Sequence, residues 1–165
     1  MKKIFVFTLF FYFLILIQTS FLVHFSIFGV VPNLILISVV VFNFFEKPRK
    51  NYGFLIAAIG GFYLDLFSNF QIGVSVFSLI ILVLLIKKFL KFVGEENIFY
   101  FILLFVFSLI FYDSILILFD SILKQSFSFS LIFSKSRAME IIYNLTAGIL
   151  VFYFAKICFL KVLRK

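Results

Sequence analysis

The sequence predicts an all-α membrane protein, a compact bundle of six transmembrane helices in one domain over residues 1–165. Three observations predict it. The chain is 65% hydrophobic with only 13% charged residues and a mean hydropathy of +1.26, where soluble domains run to about 25% charged. Its apolar residues fall into six runs, and a membrane helix needs about 20 residues each. Its basic residues collect in the breaks between runs, which is how membrane orientation is encoded. Six spans account for about 120 residues and leave short connections. A sizeable soluble catalytic domain, a nucleic-acid-binding module and a disulfide-stapled secreted domain are thereby excluded.

The predicted helices are approximately 4–23, 30–45, 52–67, 73–92, 98–119 and 138–160. The first follows Met1-Lys2-Lys3 and resembles a signal peptide, but its apolar run is long and no small-residue cleavage site follows, so it reads as a retained helix. The second run holds Pro32-Asn33, so its helix starts near Pro32 and is short, or is kinked there. The third is bounded by Glu46-Lys47-Pro48-Arg49-Lys50-Asn51 and by Ser68-Asn69-Phe70-Gln71-Ile72-Gly73. Gly94-Glu95-Glu96-Asn97 separates the fourth from the fifth. The stretch from Asp120 to Arg137 is the longest break, with Ser and Phe alternating over 126–130 as an interfacial strand or an amphipathic loop.

With the N-terminus inside, twelve of the 15 Lys and Arg residues lie on the inner side. Only Lys124, Lys135 and Arg137 lie outside. That asymmetry predicts six spans with both termini cytoplasmic. One cysteine, Cys158, allows no intrachain disulfide, and one histidine, His24, argues against a histidine-based metal site. No cofactor is expected.

Ionisable residues inside a membrane are costly and stand out as candidates. Asp65 lies ~21 Å and Asp113 ~24 Å from the inner ends of their helices at 1.5 Å per residue. Both therefore fall in the outer half, with Gln18, Thr19, Asn33, Gln71, Ser75, Ser78, Glu140 and Asn144. The inner half reads as dry, Phe-, Leu- and Ile-rich, above a ring of orienting lysines. Gly53, Ala57, Gly61 and Asp65 recur at four-residue spacing, a small-residue stripe that admits a close neighbour helix. Asp65 then faces the bundle interior, or else ends its helix among headgroups. Asp113 reads as an interhelical hydrogen-bonding group, with Arg137 or Lys135 able to offset its charge. Asn144-Leu145-Thr146 is formally a glycosylation sequon but lies within an apolar helix.

Enzyme motifs fail one by one. Tyr112-Asp113 matches half of a presenilin-type pair, but Gly60-Gly61-Phe62-Tyr63-Leu64-Asp65 has the wrong spacing for the other half. The Asn-x-x-Asp-Arg signature of lipoprotein signal peptidase has Phe62 and Leu66 at its first and last positions. No G-x-S-x-G, H-E-x-x-H or P-loop occurs. No catalytic residue is assigned.

Pro32-Asn33-Leu34-Ile35-Leu36-Ile37, a basic loop, Gly53 to Ala58, Gly60-Gly61-Phe62-Tyr63-Leu64-Asp65-Leu66-Phe67-Ser68 and Gln71-Ile72-Gly73-Val74 together resemble the MreD family of rod-shape-determining proteins. Asp113 in the fifth helix and Asn144 in the sixth fit that pattern. The resemblance implies a fold similar to the substrate-binding subunits of energy-coupling-factor transporters. It implies a non-enzymatic scaffold of cell-wall elongation in the bacterial cytoplasmic (inner) membrane. The implied partner is MreC, and through it MreB, RodA and its transpeptidase. Structural or partner-contact candidates are Pro32, Asn33, Gly61, Asp65, Gly73, Asp113 and Asn144. The competing expectation is a small-molecule-binding subunit of a membrane transporter.

Overall fold

The chain, seen in a computed structural model, is described over residues 2–46, 51–68, 71–93, 97–124 and 135–163. The described residues form helices α1 (Lys2–Leu16), α2 (Leu34–Phe45), α3 (Tyr52–Phe67), α4 (Val74–Val93), α5 (Ile98–Lys124) and α6 (Lys135–Leu163). Segments Ile4–Phe25, Ile98–Ile122 and Arg137–Ile157 are long and apolar enough to cross a membrane. Their outward faces carry the apolar side chains that lipid requires, such as Phe5, Phe10, Phe99, Phe107, Leu150 and Phe154. α2 and α3 are shorter apolar helices, about 18 and 24 Å long. α4 has 20 residues but carries Lys87, Lys88 and Lys91 in its last two turns.

α2 is the hub. Nine of its twelve residues are buried, as expected for a helix apolar all round, and it touches all five other helices. Its Phe44 and Phe45 meet Phe101 of α5 and Phe152 of α6. Ring centroids lie 5.3 Å apart for Phe44–Phe101, 5.2 Å for Phe45–Phe152 and 4.5 Å for Phe101–Phe152. Aromatic pairs at this spacing add about 0.5–1.5 kcal/mol beyond burial. α3 and α4 form the most extensive helix pair. The stripe of Gly53, Ala57, Gly61 and Asp65 is buried along its full length, with Gly61 and Asp65 against α4 and Gly53 against Asn43 and Glu46 at the end of α2. A Cβ at Gly61 would stand 2.5 Å from Val76 Cα and 2.7 Å from Val76 N, so backbone meets backbone there.

Helix boundaries differ from the sequence expectation in three places. The first apolar run is not one helix. α1 ends at Leu16, a π-turn covers Ile17–Phe21 and a tighter 3₁₀ turn covers Leu22–Phe25. The second helix begins at Leu34, not near 30. Phe28 and Gly29 have φ of 53° and 77°, making a tight turn closed by paired hydrogen bonds between Ile27 and Val30, and Asn33 caps the helix behind Pro32. α5 and α6 extend past 119 and before 138, because residues 119–124 and 135–138 contain no proline or glycine to stop a helix. The Ser/Phe alternation at 126–130 lies outside the described residues.

Candidate functional site

Polar groups gather at the end of the bundle where α2 and α4 begin. A helix start leaves four backbone N–H groups without helical partners, and at α2 side chains accept from three of them. Asn33 N–H donates to Asn144 Oδ1 of α6 at 2.7 Å, and Leu34 N–H donates to Gln18 Oε1 at 2.9 Å. Leu36 N–H donates to Asn33 Oδ1 at 3.0 Å. The π-turn holding Gln18 therefore joins the first apolar run to the buried start of α2. Asn144, fully buried, is held in turn by donating Nδ2–H to the Glu140 carbonyl at 2.9 Å.

Asp65 does the same for α4. Its Oδ2 accepts from Gly73 N–H at 2.7 Å and, at 3.4 Å, from Val76 N–H, and its Oδ1 accepts from Ser75 N–H at 2.8 Å. The carboxylate sits at the positive end of the α4 dipole, where negative charge is favoured. Gly73 adopts φ of 104°, a left-handed conformation that suits glycine, and this turns its N–H toward Asp65. Tyr112 of α5 donates to Ser75 Oγ at 3.0 Å, which ties the cap to the neighbouring cavity.

That cavity holds about 190 Å³ and is lined by Gln18, Asn33, Ser68, Tyr112, Asp113, Glu140 and Asn144 between Leu36, Leu64, Leu109 and Leu116. Asp113 Oδ2 pairs with Arg137 Nη1 at 3.2 Å, both partly exposed. Of the seven sequence candidates, Asn33, Asp113 and Asn144 line this space and Pro32 is buried just before the α2 cap. Asp65 and Gly73 are bonded to each other at the α3–α4 junction, and Gly61 lies at the helix crossing, so these three do not line it. The two aspartates are not a proton-sharing pair, since Asp65 uses both oxygens on α4 and Asp113 faces Arg137. The cavity offers two carboxylates, three amides and two hydroxyls, a lining suited to water or a small polar solute.

A second polar cluster, absent from the sequence reading, sits at the lysine-rich end. Lys87 Nζ lies 2.7 Å from Glu46 Oε2, with both side chains buried, and Gly53 N–H donates to the same oxygen at 3.0 Å. Lys87 also lies 5.5 Å from the Phe54 ring centroid. Asn43, at 0% exposure, donates Nδ2–H to Val39 O at 2.8 Å. Asn43 Oδ1 occupies the space a Gly53 side chain would need. Asn43 Oδ1 and Glu46 Oε1 have no donor among the described residues. The expected dry inner half is therefore corrected: Glu46 is a buried cap residue, not part of the connecting loop, and Lys87 is a buried partner, not an orienting surface charge. No local pattern marks the pair, which is 41 residues apart in sequence. No protein-family model, no curated protein and no solved structure matches this chain.

Proposed function

We propose that the chain is a non-enzymatic scaffold of the bacterial cell-wall elongation machinery, similar to MreD. In this reading it spans the inner membrane six times with both termini in the cytoplasm, and it acts by binding MreC. MreB, RodA and its transpeptidase are then reached through MreC. The single observation that carries the reading is how Asp65 is used. It is the one acidic residue in the 32–74 segment that resembles MreD apart from Glu46, and both its oxygens are committed to the start of α4. Asn33, from the same segment, is committed to α2. Asp65, one of the two carboxylates that an intramembrane hydrolase would need, is instead holding a helix end, which suits a rigid binding surface. Depleting the chain from its bacterium is expected to turn rods into spheres, with shape restored by the wild-type gene. Unchanged rods after complete depletion would contradict the reading.

The cavity of about 190 Å³ favours a second reading, a small-molecule-binding transporter subunit. A ligand at 100 times its dissociation constant stabilises the folded state by about 2.7 kcal/mol. A solute that raises the unfolding temperature of the purified protein in detergent, and loses the effect in Glu140→Gln, would favour it.

A further inference from the structure

A second concavity, of about 340 Å³, runs between α4 and α5 at the lysine-rich end. Its walls are almost wholly apolar: Leu85, Phe89 and Phe92 on α4 face Leu103 and Phe107 on α5, and Lys88 stands at its edge. Leu103 and Phe107 lie five and nine residues past Ile98, about 8 and 14 Å along the helix. The groove thus covers about 6 Å of α5 and about 10 Å of α4, and its far end lies about as deep as one leaflet, half of a ~30 Å hydrocarbon core. Phe92, Leu103 and Phe107 are 81%, 50% and 49% exposed, so the walls are open to the bilayer.

The three lysines of α4 divide by environment. Lys87 is buried and neutralised by Glu46. Lys88 and Lys91 are exposed, one turn apart, and have no carboxylate partner among the described residues. On the six-span arrangement proposed above, this end lies at the cytoplasmic surface. There, with the Lys87–Glu46 pair set aside, eleven basic residues stand against two acidic ones, Glu95 and Glu96. Lys88 at the edge of the cleft, with exposed Lys91 one turn closer to the helix end, attracts anionic lipid headgroups at this level.

We infer that this groove is a site for an anionic phospholipid of the inner leaflet, one acyl chain lying between α4 and α5 and the phosphate held by Lys88 and Lys91. The inference rests on the six-span orientation but on no protein partner, so failure of MreC binding leaves it untouched. An externally placed residue 95 in a reporter fusion would instead remove its basis.

The test is native mass spectrometry of the full chain released from bilayers of phosphatidylglycerol and phosphatidylcholine in equal parts. Wild type is expected to retain one phosphatidylglycerol in preference to phosphatidylcholine. Lys88→Gln with Lys91→Gln is expected to lower that preference by about thirty-fold, from the attraction of two basic residues for an anionic surface. Lys156→Gln, a charge lost from α6 and outside the groove, is expected to keep it. Leu103→Trp, at a half-exposed wall position, is expected to displace the lipid while the protein stays folded. Equal retention of the two lipids would overturn the inference. So would a Lys156→Gln effect as large as the double variant's, undiminished retention by Leu103→Trp, or a lipid-free dimer joined through this face.

Discussion

The carboxylate of Asp65 serves three backbone donors, and that number decides what a substitution does. Asparagine keeps one acceptor oxygen and turns its amide N–H groups toward donors that α4 already presents. An unsatisfied buried donor costs about 1–3 kcal/mol, so Asp65→Asn is expected to lose that much in thermal or denaturant unfolding in detergent. Asp113→Asn removes only a partly exposed pair with Arg137, and such pairs contribute about 0–1 kcal/mol; it is expected to be nearly silent in the same assay. The order of these two effects checks the capping assignment. Equal tolerance of both would contradict it. At the other end, Glu46→Gln strands the Lys87 ammonium in the core. Breaking a buried pair from one side costs about 3–5 kcal/mol. Adding Lys87→Gln is expected to recover part of that loss, and the double-mutant cycle measures how much. Strict additivity would mean that the two groups do not interact.

At the scale of elements, glycines separate crossings that can adjust from those that cannot. At Gly61 the added methyl would meet Val76 backbone, and α4 is pinned there by Asp65. At Gly148 it would meet the Phe105 ring at 2.9 Å, a side chain able to rotate within its stack. Gly61→Ala is expected to cost about 1–3 kcal/mol, the usual range for overpacking, and Gly148→Ala less. Phe62→Leu, next to Gly61 but half exposed, is expected to change little. Thermal melts of the three variants give the ranking, and a stable Gly61→Ala would place that face against lipid. The stripe itself was legible because four-residue spacing maps directly onto one helix face. The π-turn at Ile17–Phe21 was not. It carries the Gln18 side chain that accepts from Leu34 N–H, sixteen residues away, a contact that no local propensity encodes. The late start of α2 was half legible: Pro32-Asn33 marks it, while Phe28 at positive φ is a conformation that a bulky residue rarely adopts.

For the whole molecule, element order and the helical class were legible from composition and apolar runs, since these reflect the solvent as much as the fold. The position of Asp65, Asn33 and Asn144 near one end followed from counting residues along helices. Their long-range bonds did not, because Asp65 reaches the start of α4 and Asn144 reaches the Asn33 N–H from α6. The Glu46–Lys87 pair was hidden for another reason: charges beside a basic loop and at a helix end look the same whether they face water or each other. Orientation is testable directly. Reporter fusions after residues 48, 95 and 165 are expected to read cytoplasmic and those near 27, 70 and 129 external, and an external signal at 165 would remove the sixth span. The proposed scaffold role depends on binding to MreC. Affinity capture of the tagged full chain from membranes solubilised in mild detergent, with the captured proteins identified by mass spectrometry, tests it most directly. MreC is expected to be recovered in near-equal amount with wild type, with Asp113→Asn unchanged and Gly61→Ile much reduced at matched abundance. Capture of abundant, folded chain with no MreC above an untagged control would contradict the claim.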